Sequence, residues 1–152
     1  MKKTALAGRC GIYCGACDFY LAIENPEIKP DLSRAISVDE KDIHCTGCGD
    51  LDDTSWGMGC KTAACCKENQ VEYCFECNEF PCQELKKMAS DDYPHHHSAI
   101  ENLKQMKQNG IPEWLEQQAN RWSCPNCGKE FSWYREHCRK CGSKVKSCRE
   151  GA

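Results

Sequence analysis

From Ser98 to Trp122 the apolar residues recur at helical intervals, and two helices are predicted there. In "SAIENLKQMKQNG", Ile100, Leu103 and Met106 share one face, Ser98 and Glu101 have the spacing of a capping box, and Gly110 is placed to end the helix. Pro112 can open the next helix, "PEWLEQQANRW", whose apolar side carries Trp114, Leu115, Ala119 and Trp122. The pair reads as a connector docked on the rest of the chain, not as a cofactor-binding element. A third helix start stands at "FPCQELKKMAS". Pro81 suits the first helical position, which puts Cys82 in the first turn, where the helix dipole favours a thiolate. Cys82 is then a reactive thiol or a metal ligand, and the nearby Cys74 and Cys77 favour the ligand.

Composition changes the picture outside these helices. The chain has 152 residues and 16 cysteines, and without the cysteines its apolar share falls from 40% to about 30%. That is thin for a core, so a covalent or coordinate cross-link is expected. Compartment decides which kind. "MKKTALAGRC" imitates a secretory start, but Arg9 separates the small residues from Cys10 and the apolar run is too short. No segment approaches the length of a transmembrane helix. A cytoplasmic location is expected, where thiols stay reduced and clustered cysteines hold metal. Charge is uneven: residues 1–120 carry 12 Lys+Arg against 20 Asp+Glu, a formal −8, whereas 121–152 carry 8 against 3, a formal +5. The two parts are expected to present different surfaces.

The most specific signal is "SCPNCGKEFSWYREHCRKCGSK". Cys124, Cys127, Cys138 and Cys141 form CxxC-x10-CxxC, and Gly128 and Gly142 follow the second cysteine of each pair. Two intervening residues bring both sulfurs to one face of a tight turn, and glycine tolerates the positive φ that aims backbone N–H groups at them. Two such turns supply four thiolates, the pattern of a structural zinc ribbon with no open coordination position. Trp133, Lys129, Arg135, Arg139 and Lys140 are candidate nucleic-acid contacts on this ribbon. The competing expectation is that its aromatics, including Phe131 and Tyr134, pack the ribbon or dock it on the helices while the basic residues are solvated.

Eleven cysteines lie between Cys10 and Cys82. Cys14 and Cys17 pair naturally with Cys45 and Cys48 across a loop of 27 residues, leaving Cys10 as a fifth thiol and further candidate ligand. A second set joins Cys74, Cys77 and Cys82 to Cys65, with Cys60 competing for the last place.

These residues resemble a known family. "CGIYCGACDFYLA", "CTGC" and "YCFECNEFPC" look like the cysteine-rich prokaryotic family called domain of unknown function 3795, in order from Cys10 to about Leu85. The later "GIPEWLEQQANRWSCPNCG" resembles a carboxy-terminal zinc-ribbon extension of some members. Cys10, Cys14, Cys17, Cys45, Cys48, Cys60, Cys65, Cys74, Cys77 and Cys82 fall in the family order, whereas Cys66 departs from it and is not expected to be a ligand. The resemblance supports metal binding and implies no reaction.

Other chemistries fit less of the chain. Cys10, Cys14 and Cys17 have the CxxxCxxC spacing of a radical-SAM cluster, but the strand and helix rhythm of the barrel such enzymes need is missing. An iron-sulfur cluster in the first territory is the main alternative, because thiolates serve iron as well as zinc. Thiol redox chemistry lacks a thioredoxin-like pattern around any CxxC pair. His95, His96 and His97 read as a solvated loop. No Ser-His-Asp set, phosphate-binding glycine loop or metalloprotease motif is found, so no catalytic residue is expected.

The sequence therefore predicts a small α+β, metal-stabilised protein. A cysteine-rich metal-binding domain is expected over 1–90, a helical connector over 91–121 and a zinc ribbon over 122–152. About three zinc ions and a non-enzymatic role in recognising a protein or nucleic-acid partner are expected, with no membrane association; an iron-sulfur or thiol redox protein is the alternative.

Overall fold

The computed structural model describes residues 3–150. Met1 and Lys2, which belong to the amino-terminal stretch read above, and the last two residues lie outside the described residues. The described residues are mostly helical: α1 Asp18–Glu24, α2 Lys29–Ile36, α3 Lys61–Glu68, α4 Gln83–Met88, α5 Ala99–Asn109 and α6 Ile111–Arg121, joined by short 3-10 turns. The expected α+β class holds only in its helical part. Among the described residues β pairing is limited to isolated antiparallel bridges at Ala7 and Tyr13, Ser123 and Glu130, and His137 and Lys144. Each bridge closes a loop of five or six residues, and no second pair of residues follows it to make a ladder.

Helices α5 and α6 stand where the apolar periodicity puts them. Gly110, at φ 88°, separates them, and Pro112 lies in the first turn of α6, where its missing N–H leaves no bond unmade. Two details differ from expectation. Ser98 does not cap α5 with its side chain; its hydroxyl instead accepts from the Asn102 amide at 3.4 Å. Ala119 is exposed, and its carbonyl accepts a hydrogen bond from the Ser123 hydroxyl at 2.7 Å. The third predicted start also shifts. Cys82 is the N-cap of α4, its carbonyl accepting from Lys86 N at 3.0 Å, and Pro81 precedes the cap after a cis peptide bond.

The main core forms around the α5–α6 pair. Leu103, Met106 and Trp114 are fully buried, with Tyr13 edge-on to Trp114 at 6.1 Å, and Tyr73, Leu85, Trp122, Phe131 and Val145 complete the cluster. One apolar cluster thus draws on the amino-terminal motif, the helices and the carboxy-terminal cysteine region. Each large side chain sequestered this way contributes about 1.5–3 kcal/mol. A smaller cluster gathers Phe19, Leu21 and Ala22 of α1 with Ile28 and Ile43. Among the described residues no helix is long and apolar enough to cross a membrane.

The "CGIY" segment is fastened to α5 by its glycine. Gly11 has φ +88°, and a Cβ there would collide with the Ala99 carbonyl oxygen and come within 2.9 Å of Leu103 Cγ. The Asn102 side-chain amide donates to the Gly11 carbonyl at 2.8 Å, fixing the same contact. Gly11→Ala should therefore destabilise the protein by about 1–3 kcal/mol in urea unfolding. Gly59→Ala, where a Cβ meets nothing within 4 Å, should stay within about 0.5 kcal/mol. Equal effects at the two positions would contradict this account of the motif.

Candidate metal centre

Two short turns build the carboxy-terminal site. Cys124 N–H donates to the Lys129 carbonyl at 2.9 Å and Gly128 N–H to the Cys124 carbonyl at 2.8 Å. The second turn repeats the pattern, with Cys138 N–H to Ser143 O at 2.8 Å and Gly142 N–H to Cys138 O at 3.0 Å. Gly128 and Gly142 take φ +76° and +74°, the left-handed region in which an L side chain is strained. The turns face each other. Cys124 Sγ lies 3.6 Å from Cys141 Sγ and Cys127 Sγ 3.5 Å from Cys138 Sγ, and all four sulfurs lie within 4.8 Å of one another. Zinc–sulfur bonds of 2.3 Å give a tetrahedral edge of about 3.8 Å, whereas a disulfide needs about 2.05 Å, so the spacing fits four thiols around one ion.

The surroundings favour the thiolate at Cys138 and Cys141, whereas at Cys127 the lowering by the Lys129 backbone N–H is outweighed by burial and the neighbouring Cys138, Cys141 and Cys124, which push the thiol up to about 11. Cys138 is held below the ordinary thiol range by backbone N–H groups, first that of Cys141 and then that of Lys140, the latter 3.4 Å from its sulfur. Cys141 is lowered to about 5, first by the Ser143 hydroxyl at 3.3 Å and then by the Asn126 side chain. Cys124 and Cys138 are buried, Cys127 is half-buried and Cys141 is exposed. Among the described residues this is the one group of three or more metal-ligating side chains drawn so close.

Aromatic contacts dock the site on the fold. Phe131 meets Trp122 edge-on at 5.6 Å, and Trp133 N–H donates to the Ala16 carbonyl at 3.3 Å. His95 stacks on Trp133 at 4.0 Å and 6°, and its Nδ1 lies 2.6 Å from the Tyr134 hydroxyl. His96 Nδ1 lies 2.7 Å from the Asp91 carboxylate. The histidine triplet is thus not the solvated loop expected: His95 and His96 are half-buried, and His95 clamps the cysteine region. No local signal in the sequence marks it. Of the candidate nucleic-acid contacts, Trp133 has one face covered by His95, Lys129 and Arg135 are half-buried, and Arg139 and Lys140 are exposed.

The amino-terminal cysteines are arranged differently. Cys14 and Cys48 adjoin, with Cys48 N–H 3.5 Å from Cys14 Sγ, and Cys48 together with burial pushes the Cys14 thiol up. Burial raises Cys10 to about 12, helped by the neighbouring Cys48 and then Cys60. Cys17 is likewise raised to about 12 by burial, with Cys45 contributing less. The structure does not draw Cys14, Cys17, Cys45 and Cys48 into one group as tight as the carboxy-terminal four. In the second expected set, Cys65 is exposed, and buried Cys66 is the residue whose sulfur lies 3.8 Å from that of Cys74.

Fold and site together define a cysteine-rich, mainly helical protein with a four-cysteine cluster that could hold a metal ion. The family described as "Protein of unknown function (DUF3795)" matches residues 6–87, and the chain belongs to it. No curated protein and no solved structure matches.

The His95 clamp has a pH signature. Burial, then the neighbouring His96, lowers His95 to about 4 from the usual 6.5, with Asp91 opposing. A histidine kept neutral in the folded state contributes stability that is full above pH about 6.5 and is lost as pH falls towards about 4. His95→Phe keeps a ring on Trp133 and removes the titration. Its loss of stability between pH 7 and pH 5, read by urea unfolding, should be smaller than that of the unaltered protein; an equal loss would contradict the clamp.

Proposed function

We propose that this chain is a zinc-binding protein whose metal is structural and whose role is recognition of a partner, without catalysis. The observation that carries the reading is the closure of four sulfurs from Cys124, Cys127, Cys138 and Cys141 to within 4.8 Å. Four thiolates fill a tetrahedral zinc and leave no position for substrate. Such an ion contributes about 10–16 kcal/mol in finger-sized peptides, well above the burial of Phe131 and Val145 at about 1.5–3 kcal/mol each. Residues 122–152 act here as a zinc ribbon. Two further zinc ions belong to the first territory, one served by Cys14, Cys17, Cys45 and Cys48 with Cys10 beside them, the other by the set around Cys74, Cys77 and Cys82.

The partner favoured by this reading is a protein. Stacking on bases needs free aromatic faces, and Trp133 already gives one of its own to His95. Trp56, one face of which stacks on Phe19 at 4.3 Å, and Met58 are half exposed, at 55% and 51%, and offer apolar contact area beside the Cys45 turn.

Elemental analysis of full-length protein purified without air tests the metal. About three zinc atoms per chain without acid-labile sulfide are expected. Iron with sulfide in equal amounts would replace this reading with that of an iron-sulfur protein.

A further inference from the structure

Sulfur is concentrated at a second enclosed place. Helices α3 and α4 and the turn at Cys74–Glu76 surround a cavity of about 30 Å³ bordered by Cys65, Cys66, Cys74, Cys77 and Cys82, with Leu85 behind them. That volume is about the share of one water molecule, but a buried water needs two to four polar partners. Apart from Asn69, the side chains of this wall offer only sulfur and hydrocarbon. A thiophilic ion suits it better.

Two adjacent cysteines on α3 compete for this cavity. Successive helical residues point about 100° apart, so both cannot address one centre equally. Cys66 is 2% exposed, and its Sγ lies 3.8 Å from Cys74 Sγ, the edge of a zinc–thiolate tetrahedron. Cys65 is exposed at the rim, where its sulfur accepts a hydrogen bond from the Asn69 amide at 3.5 Å. Cys74 and Cys77 flank one tight turn, with Cys77 N–H donating to Cys74 O at 3.2 Å, and Cys82 caps α4 on the same wall; no three of these sulfurs lie within 4.8 Å of one another, so an ion would draw Cys77 and Cys82 towards the Cys66–Cys74 pair. Arg9 lies nearby, its guanidinium donating to the Glu72 carbonyl at 2.9 Å and its own carbonyl accepting from Cys74 N–H at 2.9 Å.

We infer that this cavity is a thiolate site for a zinc-like ion, held by Cys66, Cys74, Cys77 and Cys82, with Cys65 outside as an exposed thiol. The inference rests on the reading of the chain as a zinc protein and exchanges one expected ligand for its neighbour. Binding replaces four thiol protons, released to solvent, by one divalent cation, and no electron moves.

Zinc content of full-length protein, purified without air, tests it in Cys66→Ser, Cys65→Ser and Cys124→Ser variants. Cys66→Ser should carry about one zinc fewer than the unaltered protein, Cys65→Ser should carry as many, and the Cys66→Ser and Cys124→Ser losses should add in the double variant. Unchanged zinc in Cys66→Ser, or an equal loss in Cys65→Ser, would overturn the site. Zinc that depends on Cys124 alone would remove this site and leave the carboxy-terminal one standing, whereas an unaltered protein free of metal would remove both. Should Cys66→Ser fail to fold, alkylation of the unaltered protein read by mass spectrometry decides. Cys65 should react in the metal-loaded protein, and Cys66 should react together with Cys74, Cys77 and Cys82 only after chelation. Cys66 reactivity indifferent to chelation would overturn the assignment.

Discussion

Four thiolates crowded within 4.8 Å repel one another unless a cation joins them. Once ionised, as the donors around Cys138 and Cys141 favour, the sulfurs repel one another across the 3.5–3.6 Å contacts between the two turns. A divalent cation at their centre reverses the sign of that interaction. Local geometry prepares the position: each turn is closed by two backbone hydrogen bonds and a left-handed glycine, which turn its own pair of sulfurs to one face. Around this point β pairing adds little, since among the described residues it is confined to single bridges.

Apolar packing then ties the cysteine-bearing segments to one another. The α5–α6 pair supplies Leu103, Met106 and Trp114, and both chain ends pack on it. Gly11 lets the amino-terminal motif lie directly on α5, and His95 holds Trp133 and Tyr134. Trp114 Nε1 and Ser147 Oγ are buried without a hydrogen-bond partner, which weakens this packing further as a source of stability. On the proposed reading, coordination and packing are complementary: one would fix the loops, the other fixes how the segments meet.

How much of this was legible in the sequence follows from the range of each signal. Helices α5 and α6 were readable because Leu103, Met106 and Trp114 repeat with a period that depends only on near neighbours. The two carboxy-terminal turns were readable for the same reason, since CxxCG fixes a local conformation. The sheet part of the expected α+β class came with the zinc-ribbon reading and not from any strand pattern, and among the described residues it amounts to isolated bridges. Cys65 and Cys66 cannot be told apart by spacing; only the direction in which α3 packs makes one buried and the other exposed. His95 was read as solvated because its partners lie 38 and 39 positions away, and Pro81 was read as the first helical residue where Cys82 proves to be the cap. The grouping of the amino-terminal cysteines depends likewise on long-range folding.

The central claim is that coordinated sulfur, and not apolar burial, determines the shape of residues 122–150. Amide hydrogen exchange of the full-length protein, compared before and after exhaustive chelation in the presence of a reductant, tests it most directly. Protection at Cys124, Gly128, Cys138 and Gly142, whose N–H groups close the two turns, should vanish on chelation and return when zinc is added back. Retention of that protection in metal-free, reduced protein would contradict the account.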